Sequence, residues 1–339
     1  MQQFQIGPNE AGQRLDKYLK KLLKEAPDSF LYKMIRKKNI VLNGKKCDGK
    51  EKLSLGDEIK LFLADETISK FSGKTESPQT DSYEHAYHNL NKISIVYEND
   101  QILIANKPAG VLSQRASSND DSVNEWLIGY LLSRETITPQ SLNTFKPSIC
   151  NRLDRNTSGM VICSKTLAGS QYMSQIIKDR SLAKYYTCIV YGKVNTGSRI
   201  QGYLYKNTET NKVTVYSDLN EVPSSYRSEA AFIDTEIHPL YGNDKLTKLE
   251  IRLHTGKTHQ IRAHLSSIGH PLIGDNKYGS CKLNRQYESL GVHGQLLHAC
   301  RLTFPKIQEN TFKELSGLTL ICPEPPIFNK VLNTEKSDI

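Results

Sequence analysis

The chain has 339 residues, a hydrophobic fraction of 37%, and 45 Lys+Arg against 36 Asp+Glu, for a net charge of +9. That apolar share suffices for a folded core and the length suggests two domains; no apolar run reaches the roughly 18 residues of a transmembrane helix. The opening residues MQQFQIGPNEAGQRLDKYL have no apolar segment behind a basic start, so they do not read as a secretory signal and a cytoplasmic protein is expected.

Residues 1–64 hold 14 Lys+Arg and 8 Asp+Glu, so most of the excess charge sits in a small basic head. Such a head suggests a module that binds a polyanion. Within it, RLDKYLKKLLKEA places Leu15, Leu19, Leu22 and Leu23 on one helical face with lysines opposite. Asp28 or Ser29 can cap a second helix, FLYKMIRKK. Asn43-Gly44 signals a hairpin, and Leu-Gly-Asp-Glu at 55–58 a turn before the strand IKLFL. Residues 65–90 are polar and poorly periodic, which predicts a flexible linker.

The body opens with two strand-like runs, ISIVY and QILIANK, followed by the turn Lys107-Pro108-Ala109-Gly110. DSVNEWLIGYLLS predicts a helix capped by Asp121 or Ser122. Then come the loop NRLDRNTSG, the buried strand MVICS, and a helix with Tyr172, Met173, Ile176 and Ile177 on one side. The strand AKYYTCIVY ends at Gly192. Further on, a strand, a Thr-Gly-Lys turn, a helix and a Gly/Pro-rich loop occupy 247–279, and LLHACRLTFP is another strand. The body is expected to span 91–330, with a polar tail at 331–339.

The seven cysteines form no C-x-x-C, which argues for reduced core thiols rather than a zinc knuckle or redox pair. His259 and His264 are five apart without H-E-x-x-H, and no phosphate-cradling glycine motif occurs. No metal and no nucleotide cofactor are therefore expected. What remains is an isolated aspartate, Asp154, between Arg152 and Arg155. Flanking arginines can be a surface ion pair, or can hold a carboxylate ionised and aimed.

The head, over residues 12–64, resembles the S4 domain, an RNA-binding module, in R-L-D-K-Y-L and I-R-K-K-N-I-V-L-N-G-K. That resemblance implies that Arg36, Lys37, Lys38 and Lys45 face phosphates. NRLDRNTSGMVICSKT resembles the signature of RluA-type pseudouridine synthases, usually His-Arg-Leu-Asp-x-x-Thr-Ser-Gly. AKYYTCIVYG resembles their second motif, Lys-x-Tyr before a hydrophobic strand. LHTGKTHQIRAHLSSIGHPLIGDNKYG resembles the third, with Arg usual where Lys257 stands. The match runs from about 92 to 325 and includes NKPAG and LLHA. Asn151 replaces the usual His, keeping a donor and an acceptor but not a titratable charge. Lys257 keeps charge without bidentate geometry.

The resemblance implies an α+β fold, with a mixed, mainly antiparallel central sheet beside a small S4-like domain, and the isomerisation of uridine to pseudouridine. It makes Asp154 the catalytic carboxylate, attacking the anomeric carbon or removing the 2′ proton. Arg262 pairs with it, and Tyr186 stacks on or lies beside the flipped base and assists proton removal from carbon five. Arg152 fills the space the nucleotide leaves, Lys257 and His259 contact the RNA, and Arg155 is a backbone contact or a surface charge. Family members of this two-domain layout that modify 23S ribosomal RNA make that the expected substrate, with transfer RNA the alternative and a monomer the expected state. Rival readings are a non-catalytic RNA-binding protein and a glycosidase that releases free uracil.

Overall fold

The computed structural model describes residues 1–72, 80–207, 209–210, 212–307 and 312–334. The head is built from strand β1 (Gln2–Gln5), helices α1 (Leu15–Leu22) and α2 (Asp28–Arg36), and strands β2 (Ile40–Leu42), β3 (Lys45–Lys46) and β4 (Glu58–Leu61). The strands form one antiparallel sheet in the order β1-β4-β2-β3. Leu15, Leu19 and Leu23 from the first helical stripe are fully buried, against Leu31 and Ile35 of α2 and Ile40, Ile59 and Leu61 of the sheet. The β2–β3 turn has φ of 49° at Asn43 and 70° at Gly44. Both central residues of this tight hairpin turn thus adopt positive φ, the conformation Asn-Gly favours.

Within the stretch expected to be a flexible linker, the described residues 65–72 and 80–90 are largely helical and packed. They include α3 (Asp65–Ser72) and α4 (Asp81–Asn89); residues 73–79 lie outside the described residues. Helix α3 joins the head, burying Ile68 and setting Phe71 against Phe30 at 4.5 Å between ring centroids. Helix α4 joins the body, where it packs on α5 (Val123–Ser133), with Tyr87 6.4 Å from the Trp126 ring. A Cβ at Gly129 would overlap the Tyr83 carbonyl, so a glycine is what lets the two helices approach. The apolar positions 68, 71, 83, 86, 87 and 90 are helically spaced, but their polar surroundings dilute the period. The polar tail is corrected too: 331–334 belong to α9 (Ile327–Thr334), whose Phe328, Val331 and Leu332 are buried, and 335–339 lie outside the described residues.

The remaining body strands are β5 (Ser94–Glu98), β6 (Ile102–Lys107), β7 (Ser148–Ile149), β8 (Ser158–Ser164), β9 (Ala183–Tyr191), β10 (Ser198–Lys206), β11 (Val213–Tyr216), β12 (Ala231–Gly242), β13 (Leu246–Leu253), β14 (Leu297–Thr303) and β15 (Thr319–Ile321). They make one 11-stranded sheet in the order β11-β10-β12-β13-β9-β14-β8-β6-β5, with β15 on β14 and β7 on β8. Every recorded pairing is antiparallel except β14 with β8, so the sheet is mixed and mainly antiparallel. Helices α6 (Leu167–Lys178), α7 (Gln260–Ser267) and α8 (Cys281–Glu288) complete the body. Ser122 caps α5 through its side chain, which accepts from the Asn124 N–H.

The parallel contact between β8 and β14 positions the functional loop. His298 lies opposite Ser158 and Ala299 opposite Gly159. Gly159 has φ of 107°, and a Cβ there would overlap the Ala299 backbone. Only glycine lets the strand that follows Asp154 come this close to β14. The head touches the body through Lys24 Nζ to Asn143 Oδ1 at 3.2 Å and Thr144 Oγ1 to Glu10 Oε1 at 2.5 Å.

Candidate active site

Asp154 sits in the loop between β7 and β8, and five local bonds shape that loop. Asn151 Oδ1 accepts the Ile162 N–H at 2.7 Å, so the residue that departs from the family pattern works as a neutral acceptor bracing the loop against β8. Ser113 Oγ donates to the Leu153 carbonyl at 2.8 Å and accepts the Leu153 N–H at 2.9 Å. Arg155 Nε donates to the Gly110 carbonyl at 3.0 Å, while the Gly110 N–H returns to the Arg155 carbonyl at 2.9 Å. Arg155, exposed, is thus tied to the protein's own main chain at Gly110.

Lys107 closes the loop from beneath. It is fully buried, and its Nζ donates to the carbonyls of Pro108, Val111 and Arg155 at 3.1, 2.8 and 2.9 Å. Burial draws its pKa down to about 7, against the opposing pull of the Asp154 charge. Three carbonyls can be satisfied together only by an ammonium, which has three N–H groups. Lys107→Met is expected to destabilise the protein by about 2–4 kcal/mol, because those carbonyls lose their donor without gaining water. Chemical denaturation checks this; a loss under about 0.5 kcal/mol would mean that the loop finds other donors.

Arg262 approaches from the first turn of α7. Its Nη1 donates to Asp154 Oδ2 at 2.8 Å. The opposite side of the guanidinium forms a two-point pair with Asp275, Nε to Oδ2 at 2.7 Å and Nη2 to Oδ1 at 2.9 Å. Arg262 is 8% exposed and Asp275 0%. Burial lowers the arginine's pKa, but the two carboxylates outweigh it and hold the guanidinium charged. Burial raises Asp275, and Arg262 together with the N–H groups of Lys277 and Tyr278 brings it below its ordinary value. A fully buried carboxylate thus fixes the plane of Arg262, and Arg262 presents its remaining edge to Asp154, whose side chain is 26% exposed.

Tyr186, on β9, lines the same cleft and is 8% exposed. Burial, with the nearby Asp154 charge, raises its hydroxyl pKa, so it remains a phenol at neutral pH. His259 precedes α7 with a left-handed φ of 54°; its Nε2 is 4.0 Å from Asp154 Oδ2 and its Nδ1 2.8 Å from the Tyr278 hydroxyl. Burial lowers its pKa more than Asp154 raises it. Arg152 and Lys257 are exposed at the rim. The open cleft has a volume of about 760 Å³.

Asp154, Tyr186, Arg262, Arg152, Lys257 and His259, proposed from separate motifs, therefore meet in one place. Arg36, Lys37, Lys38 and Lys45 lie apart from them, on the head, at the end of α2 and on the hairpin strand β3. All four are exposed. Lys107, Ser113, Asp275 and Tyr278 went unassigned in the sequence, although three of them stand inside quoted motifs. The usable signal was a lysine and an aspartate each within an otherwise apolar or glycine-rich run.

A carboxylate bonded to a fixed arginine, beside a buried phenol and under a cationic rim, suits chemistry at a sugar carbon of an anionic polymer. Residues 101–267 match the family model described as RNA pseudouridylate synthase, and residues 13–59 match the S4 domain. The protein is an RNA pseudouridine synthase joined to an S4 head, an isomerase acting on RNA. The chain belongs to the RluA-type pseudouridine synthase family. It is 26% identical over 317 residues to the ribosomal large subunit pseudouridine synthase C of Vibrio parahaemolyticus, covering 92% of this chain and 91% of that protein. It is 28% identical over 307 residues to the Escherichia coli protein of the same name, covering 88% and 87%. The solved structure of human RNA pseudouridylate synthase domain containing 4 shares the fold, with a TM-score of 0.58 at 19% identity over 74% of this chain and 95% of that one.

Proposed function

We propose that the protein converts specific uridines of 23S, large-subunit, ribosomal RNA to pseudouridine, with Asp154 acting at the ribose. The observation that carries this is the Arg262–Asp154 pair at 2.8 Å inside a cleft that Tyr186 also lines. The names of the relatives and the basic head favour ribosomal RNA over transfer RNA as the substrate.

Uracil inside folded RNA cannot reach Asp154, so the nucleotide must leave its stack, at a cost of a few kcal/mol. Arg152, exposed at the rim, fills the vacated space. Asp154, oriented by its hydrogen bond from Arg262, attacks the anomeric carbon or removes the 2′ proton, and the base detaches. Tyr186 lies against the freed base while it turns and rejoins through carbon five. Because Tyr186 is a phenol, it assists the late proton transfer by hydrogen bonding rather than as a phenolate. The reaction is an isomerisation with no net oxidation or hydrolysis, so it consumes no cofactor. A monomer working with RNA in the cytoplasm completes the reading.

The test is tritium release from unmodified 23S transcript labelled at carbon five of uridine, in EDTA and without nucleotide. Release from transfer RNA alone would keep the chemistry and overturn the substrate. Free uracil as product would identify a glycosidase, and tight binding with no release from any RNA a binding protein.

The head adds a separate expectation. Lys37→Ala combined with Lys45→Ala should weaken RNA binding and flatten the slope of log K against log salt by about 2, one unit for each lost phosphate contact. Titrations between about 50 and 200 mM salt read the slope. An unchanged slope would mean that these lysines face solvent.

A further inference from the structure

His259 is expected to contact the RNA, and both nitrogens of its ring face groups of the site. We propose that Tyr278 is a positioning residue of this site: held by the Val213 backbone, its hydroxyl fixes His259 with the proton on Nε2, facing Asp154 and the bound nucleotide. The proposal rests on the reading of the cleft given above.

The hydrogen-bond accounting carries it. The Val213 N–H donates to Tyr278 Oη at 3.1 Å, so that oxygen already accepts. Its own proton then has His259 Nδ1, at 2.8 Å, as the recorded acceptor among the described residues. A nitrogen that accepts carries no proton in the neutral imidazole, so the proton lies on Nε2. Nε2 lies in the cleft 4.0 Å from Asp154 Oδ2, too far for a direct bond. A substrate oxygen about 2.8 Å from each could sit between them, accepting from His259 and donating to Asp154. The tyrosine also stands edge-on to the imidazole, 5.6 Å between centroids at 64°, so turning the ring would break both this contact and the bond to Nδ1.

The charged and titratable groups around the imidazole are Asp154 from the β7–β8 loop, Arg262 from α7, and Asp275, Lys277 and Tyr278 from the loop after α7. Losing the Tyr278 hydroxyl removes the donor that favours the neutral ring, so His259 should charge at higher pH. A charged His259 would then compete with the substrate for Asp154. Through Val213 the chain of contacts also reaches β11, the outermost strand, so the β10–β11 hairpin bears on the catalytic carboxylate.

The experiment uses the full-length protein labelled with 15N-histidine, and a His259→Gln spectrum identifies the His259 signals. The expected wild-type result is a protonated Nε2 and a bare Nδ1. In Tyr278→Phe, His259 should titrate at higher pH, kcat should fall about tenfold with KM changed less than about twofold, and the acid limb of the rate profile should move up with the titration. His259→Gln, which keeps an N–H near the Nε2 position, should retain more activity than His259→Ala. A wild-type proton on Nδ1 overturns the proposal, as does a Tyr278→Phe protein whose titration and rate profile do not move. If Tyr278→Phe does not fold, the wild-type proton position still decides. A wild type inactive on every RNA would overturn the function proposed above, while the spectrum would still report on the tether.

Discussion

Asp154→Asn is expected to lower pseudouridine formation by about 10³-fold or more, with the fold intact. The rate loss follows from replacing the carboxylate by an amide of the same shape, which is neither a nucleophile toward carbon nor a base. The fold should survive because Arg262 keeps both bonds to Asp275 when Asp154 is neutralised. Asp154 is itself partly exposed, so its pair with Arg262 contributes about 1 kcal/mol or less to stability. Tritium release and a thermal melt on the same preparation read the two effects. A variant that keeps more than a tenth of the wild-type rate would remove Asp154 from the chemistry. A variant that also melts far below wild type would make its inactivity uninformative, and Asp154→Glu would then be the comparison.

Asp275→Asn should do the reverse, damaging stability first and activity as a consequence. It leaves Arg262, 8% exposed, with its two-point anionic partner gone. Breaking one side of a buried pair typically costs about 3–5 kcal/mol, equivalent here to a melting point lower by roughly 10 °C. The carboxylate also accepts the Lys277 N–H at 2.9 Å and the Tyr278 N–H at 3.1 Å, so the loop after α7 loosens too. A mis-set guanidinium would aim Asp154 poorly, and the rate should fall about 10²-fold. The pH dependence follows from the depressed pKa of Asp275. Its stabilising contribution is present above the unfolded value near 4 and disappears as pH falls through the lower folded value. Wild type should thus lose stability below about pH 4 more steeply than Asp275→Asn. Parallel acid melts of equal slope would place the stabilisation elsewhere.

Much of the head was legible because its signals are local. A leucine stripe, an Asn-Gly turn and a lysine-rich helix end each act within a few residues, and Leu15, Leu19 and Leu23 are buried as the stripe requires. The linker was misread because Ile68, Phe71, Tyr83 and Tyr87 are sparse in a polar segment, and their helices are held by packing on Phe30 and Trp126 rather than by propensity. The site motifs could be assembled by resemblance, but composition and spacing gave no partner for Asp154. Asp275 and Lys107 stand in apolar or glycine-rich runs that hint at burial, but nothing local names the groups they bond, which come from Arg262 and from the Pro108, Val111 and Arg155 carbonyls.

The sequence alone determined which chemistry is available: one carboxylate between arginines, a Lys-x-Tyr strand, a basic helix start, and a cationic head. It also determined the short elements whose period or turn residues are local. Only the tertiary structure decided which of these groups meet. Asp154 and Arg262 are 108 residues apart, and their contact depends on a parallel β8–β14 crossing that only Gly159 permits, and on Asp275 locking the arginine from behind. Those are non-local contacts, in which burial strengthens a pair and lets one side chain's partner set the direction of the next, and neither effect leaves a mark in local spacing.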